Sequence, residues 1–204
     1  MPIRRRTLLA AAPVGLLMPS LIRPALAQRA DARMDTRSVG RADAKLVVQE
    51  WFSLTCTHCA HFSQTAFPEV KEKLIDTGRV LYVFRDFPLD QTALLAAAVA
   101  RSLPPDRYLP FVEQLFATQD KWAFVEDPFA ALGRQAVLAG MSYPDFKALS
   151  QDHLRDEILA EQDAGQKQYT IEGTPTFIFG ATKAGPVTTY AEFAAAVDAA
   201  LAHA

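Results

Sequence analysis

The sequence predicts an α/β fold, a central mixed β-sheet flanked by helices, with an all-helical subdomain inserted between its strands. Three observations carry this. Residues 45–53, with Leu46, Val47, Val48, Trp51 and Phe52, form a nearly continuous apolar run that suits a central strand covered on both faces. A helical pattern and a second strand at 80–84 follow it, a βαβ unit whose crossover is right-handed by rule. From about 91 to 168 the pattern is helical throughout, after which strand signals return and a final helix closes the chain.

The chain opens with Arg4, Arg5 and Arg6, then an apolar run over 7–22 and the small-residue pattern Ala25-Leu26-Ala27. Residues 1–27 read as a cleaved export signal, of the twin-arginine kind in preference to the general secretory kind, rather than as an uncleaved anchor. Either route leads to the periplasm, a disulfide-permissive compartment. Cleavage would remove four arginines and no acid, leaving 17 basic against 23 acidic residues and a formal charge of −6. That excess of acid argues against a nucleic-acid partner. Residues 28–41 are polar without an apolar period and read as a lead-in to one domain, 42–204.

The helix after the first strand runs to about Asp76 and contains Pro68, which predicts a break near 64–67. Thr77-Gly78 ends it. At the end of the second strand, Arg85 and Asp86 read as a pair that fixes the turn. The insertion, about 91–168, divides into helices at Pro104-Pro105, Asp127-Pro128 and Ser142, with Phe111, Leu115, Phe116, Phe129, Leu132 and Val137 as its expected core. Tyr108, Trp122 and Phe124 read as packing, with a substrate groove as the alternative. A proline opens the strand 176–179, where proline is tolerated. Residues 186–188 are expected as an edge strand, and Thr189 with Glu192 as a capping box for the last helix.

Chemistry is concentrated in Cys56-Thr57-His58-Cys59, the only two cysteines of the chain, where the first strand gives way to a helix. A disulfide enclosing two residues constrains the unfolded chain little, so stapling does not account for the pair. A sulfur at a helix N-terminus beside a group able to carry positive charge is biased toward the thiolate. Cys56 has both features, the second supplied by His58. Cys56 is therefore expected as nucleophile and Cys59 as resolving thiol, acting by dithiol oxidation through a mixed disulfide. No metal is expected, because a zinc site built on this pair and His61 would have only His153 and His203 left to draw on. Glu50, an acid within the apolar strand, reads as either a solvated edge residue or a buried proton acceptor.

The tetrad, Glu50 ahead of it, Phe84-Arg85-Asp86-Phe87-Pro88-Leu89 and Gly173-Thr174-Pro175-Thr176-Phe177 together resemble the DsbA-like thiol:disulfide oxidoreductases of the thioredoxin superfamily, from about residue 40 onward. The resemblance implies a thioredoxin fold in which Glu50 assists Cys59. It also implies a cis bond between Thr174 and Pro175 against the cysteines, where the Thr174 backbone pairs with substrate. Thr57 joins the substrate-facing set. It implies a protein that needs no cofactor beyond its own Cys56/Cys59 disulfide, acts on reduced or unfolded exported proteins, and is re-oxidised by a membrane quinone-linked partner. The best-known relatives have proline where Thr57 stands, so an exported reductase or isomerase remains the alternative to an oxidase. A non-catalytic holdase is a further one. Isomerases of this superfamily dimerise through an added domain for which 28–41 is too short, so a monomer is expected.

Overall fold

The computed structural model describes residues 31–202; the expected export signal and His203 lie outside the described residues. Five strands form one mixed sheet in the order β1-β3-β2-β4-β5. The central strand β2 (Leu46–Phe52) runs parallel to β3 (Val80–Asp86), with Glu50 opposite Phe84, and antiparallel to β4 (Thr176–Phe179).

Between β2 and β3 the chain forms α1 (Thr57–Thr65), then α2 (Phe67–Val70) and a π-helical turn, Lys71–Ile75. The break falls at Ala66, two residues before Pro68, as the lost N–H of proline requires. The insertion is helical as expected: α3 (Gln91–Ser102), α4 (Pro105–Ala117), α5 (Pro128–Leu138), α6 (Tyr143–Ala148) and α7 (Leu154–Tyr169). The last helix, α8 (Tyr190–Ala202), opens on the expected capping box. Glu192 Oε2 accepts from Thr189 N at 3.0 Å and Thr189 Oγ1 from Glu192 N at 3.3 Å.

Four expectations are corrected. The polar lead-in contains a strand, β1 (Arg37–Val39), antiparallel to β3; so short an edge strand is held by backbone bonds and shows no apolar period. Its approach is tied down by Arg33, which pairs with Asp31 at 2.6 Å and with Asp152 at 2.8 Å. The final edge strand is β5 (Thr182–Lys183) instead of 186–188. Gly180, at φ +63°, allows a two-residue hairpin turn, so pairing begins at once with Phe179 opposite Thr182. Phe129 and Val137 are exposed, whereas Phe111, Leu115, Phe116 and Leu132 are core. Arg85 and Asp86 do not pair, because successive strand residues face opposite sides of the sheet. Arg85 bonds Glu161 at 2.5 Å and Asp86 bonds the buried Arg101.

Two layers cover the sheet. Glu50, Phe52, Tyr82, Phe84, Phe177 and Phe179 share one face, which carries the principal core with α1, α2 and α8. Trp51 lies on the other face against α7. There Gly165 is required by contact rather than by conformation: a Cβ at that position would overlap the Trp51 ring. Gly165→Ala is expected to lower the urea midpoint, because overpacking costs about 1–3 kcal/mol or more while alanine regains roughly 1 kcal/mol of helix propensity.

Candidate active site

Cys56 is the N-cap of α1. Its φ of −80° and ψ of 120° turn the sulfur back over the helix start, where Sγ accepts from Cys59 N at 3.4 Å. On its other side the Cys56 thiol donates to the Thr174 carbonyl at 3.2 Å. The turn before it is fixed from several directions. Thr55 Oγ1 donates to Asp90 Oδ2 at 2.7 Å, Asp90 itself caps α3, and Gln119 Nε2 donates to Leu54 O and Cys56 O.

Both cysteines are thiols, and their surroundings drive them apart. The Cys56 thiol is brought down to about 5, first by a hydrogen bond from the Cys59 thiol. Burial opposes this, while the Thr174 hydroxyl and the backbone N–H groups of Cys59 and His58 assist it. That hydroxyl is buried without another fixed partner, so it is free to turn toward the sulfur. Cys59 is wholly enclosed, and its thiol is pushed well up by burial, then by its bond to Cys56 and by the charges of Glu50 and Cys56.

Glu50 is buried in β2. Burial raises its carboxyl to about 7, against a hydrogen bond of 2.7 Å from Tyr82 Oη, and the Cys56 charge raises it further. Glu50 is thus an interior acid that exchanges its proton near neutrality and whose charge acts on Cys59. The Thr174–Pro175 bond is cis and lies against Cys56.

Thr57 and His58 are exposed on the outer side of the first turn. The His58 backbone N–H helps to lower the Cys56 thiol, while its side chain is exposed to solvent. His61 is exposed one turn on, and His153 sits instead beside Asp31 and Asp152. Those three are the grouping of metal-ligating side chains among the described residues, and Arg33 already bonds both of its carboxylates. Of the three aromatics considered for a groove, Tyr108 and Trp122 are buried and Phe124 is exposed.

Sequence reasoning missed Tyr82, Thr55, Asp90 and Gln119. Asp90 was detectable as a helix cap directly before Gln91. Nothing local distinguishes Gln119 or Tyr82, whose partners lie far away in the chain.

Two cysteines with opposed proton affinities at the end of a thioredoxin-type strand, backed by a buried acid and faced by a cis-proline loop, define a thiol:disulfide oxidoreductase of the DsbA type. The family model described as Thioredoxin matches residues 33–199, and the chain belongs to that family. A relative from Rickettsia bellii, named a protein-disulfide oxidoreductase, is 30% identical over 174 residues, 78% of this chain and 67% of that one. A similarly named relative from Rickettsia typhi is 33% identical over 68% of this chain, which spans about half, 52%, of its length. Among solved structures, Wolbachia pipientis alpha-DsbA1 is 28% identical with a TM-score of 0.74, covering 83% of this chain and 92% of that one.

Proposed function

We propose that this chain is an exported protein disulfide oxidase, which in its oxidised form gives the Cys56–Cys59 disulfide to reduced proteins in the periplasm. The observation that carries the reading is the contrast between the two sulfurs: Cys56 is held near 5 and Cys59 well above its ordinary value. A substrate thiolate attacks Cys56 Sγ, the Cys56–Cys59 bond breaks, and the electron pair goes to Cys59. Cys59 does not persist as a buried anion and takes a proton from Glu50, whose carboxyl holds one near neutrality. A second substrate thiolate then attacks the substrate sulfur of the mixed disulfide. Cys56 leaves as a stabilised thiolate, the substrate is oxidised by two electrons, and the pair is reduced.

In this reading Thr174 and Pro175 hold an extended substrate segment by strand addition, and Thr57 and His58 border it from the exposed turn. The redox group is the protein's own cysteine pair, with no added cofactor. The basic start and the Ala25-Leu26-Ala27 pattern support export, and a membrane quinone-linked partner would restore the disulfide. The protein acts as a monomer.

Equilibrating residues 28–204 against glutathione buffers tests the direction. A potential near that of strong oxidants, about −120 mV, is expected; a value near about −270 mV would make the protein an exported reductase.

A further inference from the structure

We infer that Gln119, on the turn that follows α4, is a positioning residue for Cys56, through which the helical subdomain sets the ionisation of the nucleophile. This rests on the reading of Cys56 as the sulfur that forms the mixed disulfide with substrate and leaves as a thiolate. The Gln119 residue is 6% exposed, and its Nε2 donates to Leu54 O at 2.7 Å and to Cys56 O at 3.1 Å. A primary amide has two N–H groups, so both are engaged and one side chain grips the turn at two points. The Cys56 carbonyl also accepts from Ala60 N at 3.1 Å, which begins the bonding of α1. Its direction therefore fixes how the first N–H groups of the helix meet Sγ.

The gripping residue is itself rigidly held. Gln119 O accepts from Ala123 N at 2.9 Å, and the adjoining Trp122, fully buried, donates Nε1 to Leu115 O at 2.8 Å. The turn that carries the nucleophile is thus clamped to the end of α4 and not merely packed on it.

Loss of the amide would act on the sulfur in one direction. The Leu54 carbonyl would lose its side-chain partner and the Cys56 carbonyl would keep only Ala60 N, which leaves more uncompensated negative dipole beside a thiolate, and the turn would be free to swing Sγ from the Cys59 N–H. Both changes disfavour the anion. The other ionisable groups about Cys56 are Cys59 and His58 on α1, Glu50 on β2, and Asp90 at the start of α3, which reaches the same turn through Thr55. The substitution leaves all of them in place.

The test is an ultraviolet titration of the Cys56 thiolate in the reduced protein, with the reduction potential measured alongside, for wild type, Gln119→Ala and the isosteric Gln119→Glu. Gln64→Ala serves as control, since Gln64 Nε2 bonds Phe116 O at 3.1 Å and tethers α1 to α4 at its far end. Gln119→Ala is expected to cut the thiolate-to-thiol ratio about tenfold at fixed pH, and to make the disulfide less oxidising by about 30 mV, the equivalent of that factor. Gln119→Glu, which cannot donate when ionised, shifts both readings the same way, and Gln64→Ala shifts neither. Unchanged readings in the folded Gln119 variants overturn the inference, and so does an equal shift in Gln64→Ala, which would mark general loosening. A wild-type Cys56 that titrates as an ordinary thiol overturns the assignment of the nucleophile as well, a result distinct from wild-type ionisation at low pH with insensitive Gln119 variants.

Discussion

Urea unfolding of the two redox forms is expected to show the reduced protein gaining stability over the disulfide form as pH rises from about 5 to about 9. The Cys56 thiol is depressed to about 5 in the fold against an ordinary 9.0, so the unfolded chain binds more protons between these values. Its contribution is complete above the unfolded value and is lost as pH falls through the folded one. The slope is at most about 1.4 kcal/mol per pH unit. Glu50 has the opposite sign: raised to about 7 by burial, it destabilises the fold as pH climbs from 4.5 to 7. It is present in both redox forms, so the difference between them chiefly isolates Cys56. Cys56→Ser, which has no disulfide form, should lose both the gain in stability with pH that the reduced protein shows and dithiol oxidation. Cys59→Ser should instead leave a protein that accumulates mixed disulfides through Cys56, seen as a reducible mass increase. A gap that stays flat with pH would remove the physical basis for an oxidising disulfide.

The second large effect lies away from the sulfurs. Arg101 is 1% exposed, bonds Asp86, reaches Glu161 at 3.1 Å and donates to Arg33 O at 3.3 Å. Burial opposes its charge, and the neighbouring Asp86, Tyr108 and Glu161 outweigh that and hold its pKa above the ordinary value. Arg101→Met is expected to cost about 3–5 kcal/mol, because it leaves Asp86 buried and uncompensated. Glu161 keeps a partner in Arg85. The double variant Asp86→Asn, Arg101→Met should recover much of the loss in urea titrations, since no charge is then stranded. An equally unstable double variant would show that the packing of the long side chain matters more than its charge.

These residues mark where local reading stops. Asp86 sits beside Arg85 in sequence, and a turn-fixing pair is the natural local reading. Strand geometry sends the two to opposite faces, and the partner of Asp86 comes from α3. β1 is similar: its three residues are ordered by the edge of β3, so its own composition carries no signal. The exposed Phe129 and Val137 lie on the outer side of the insertion, where helical period gives an apolar stripe but not what covers it.

Much of the fold was nevertheless legible. Apolar runs, Pro68, Asp127-Pro128 and the Thr189/Glu192 box act through neighbours a few residues away, and the elements they implied among the described residues are present, although the second strand runs on through Asp86. Local pattern alone places two sulfurs three residues apart at a strand-to-helix junction, with a Thr-Pro pair opening a later strand. What surrounds them comes from long-range packing. Proton affinity follows burial and partners rather than spacing. The groups that act on these sulfurs, Glu50 with Tyr82, Thr174 and the turn-gripping Gln119, are brought together from β2, β3, β4's approach and the helical subdomain.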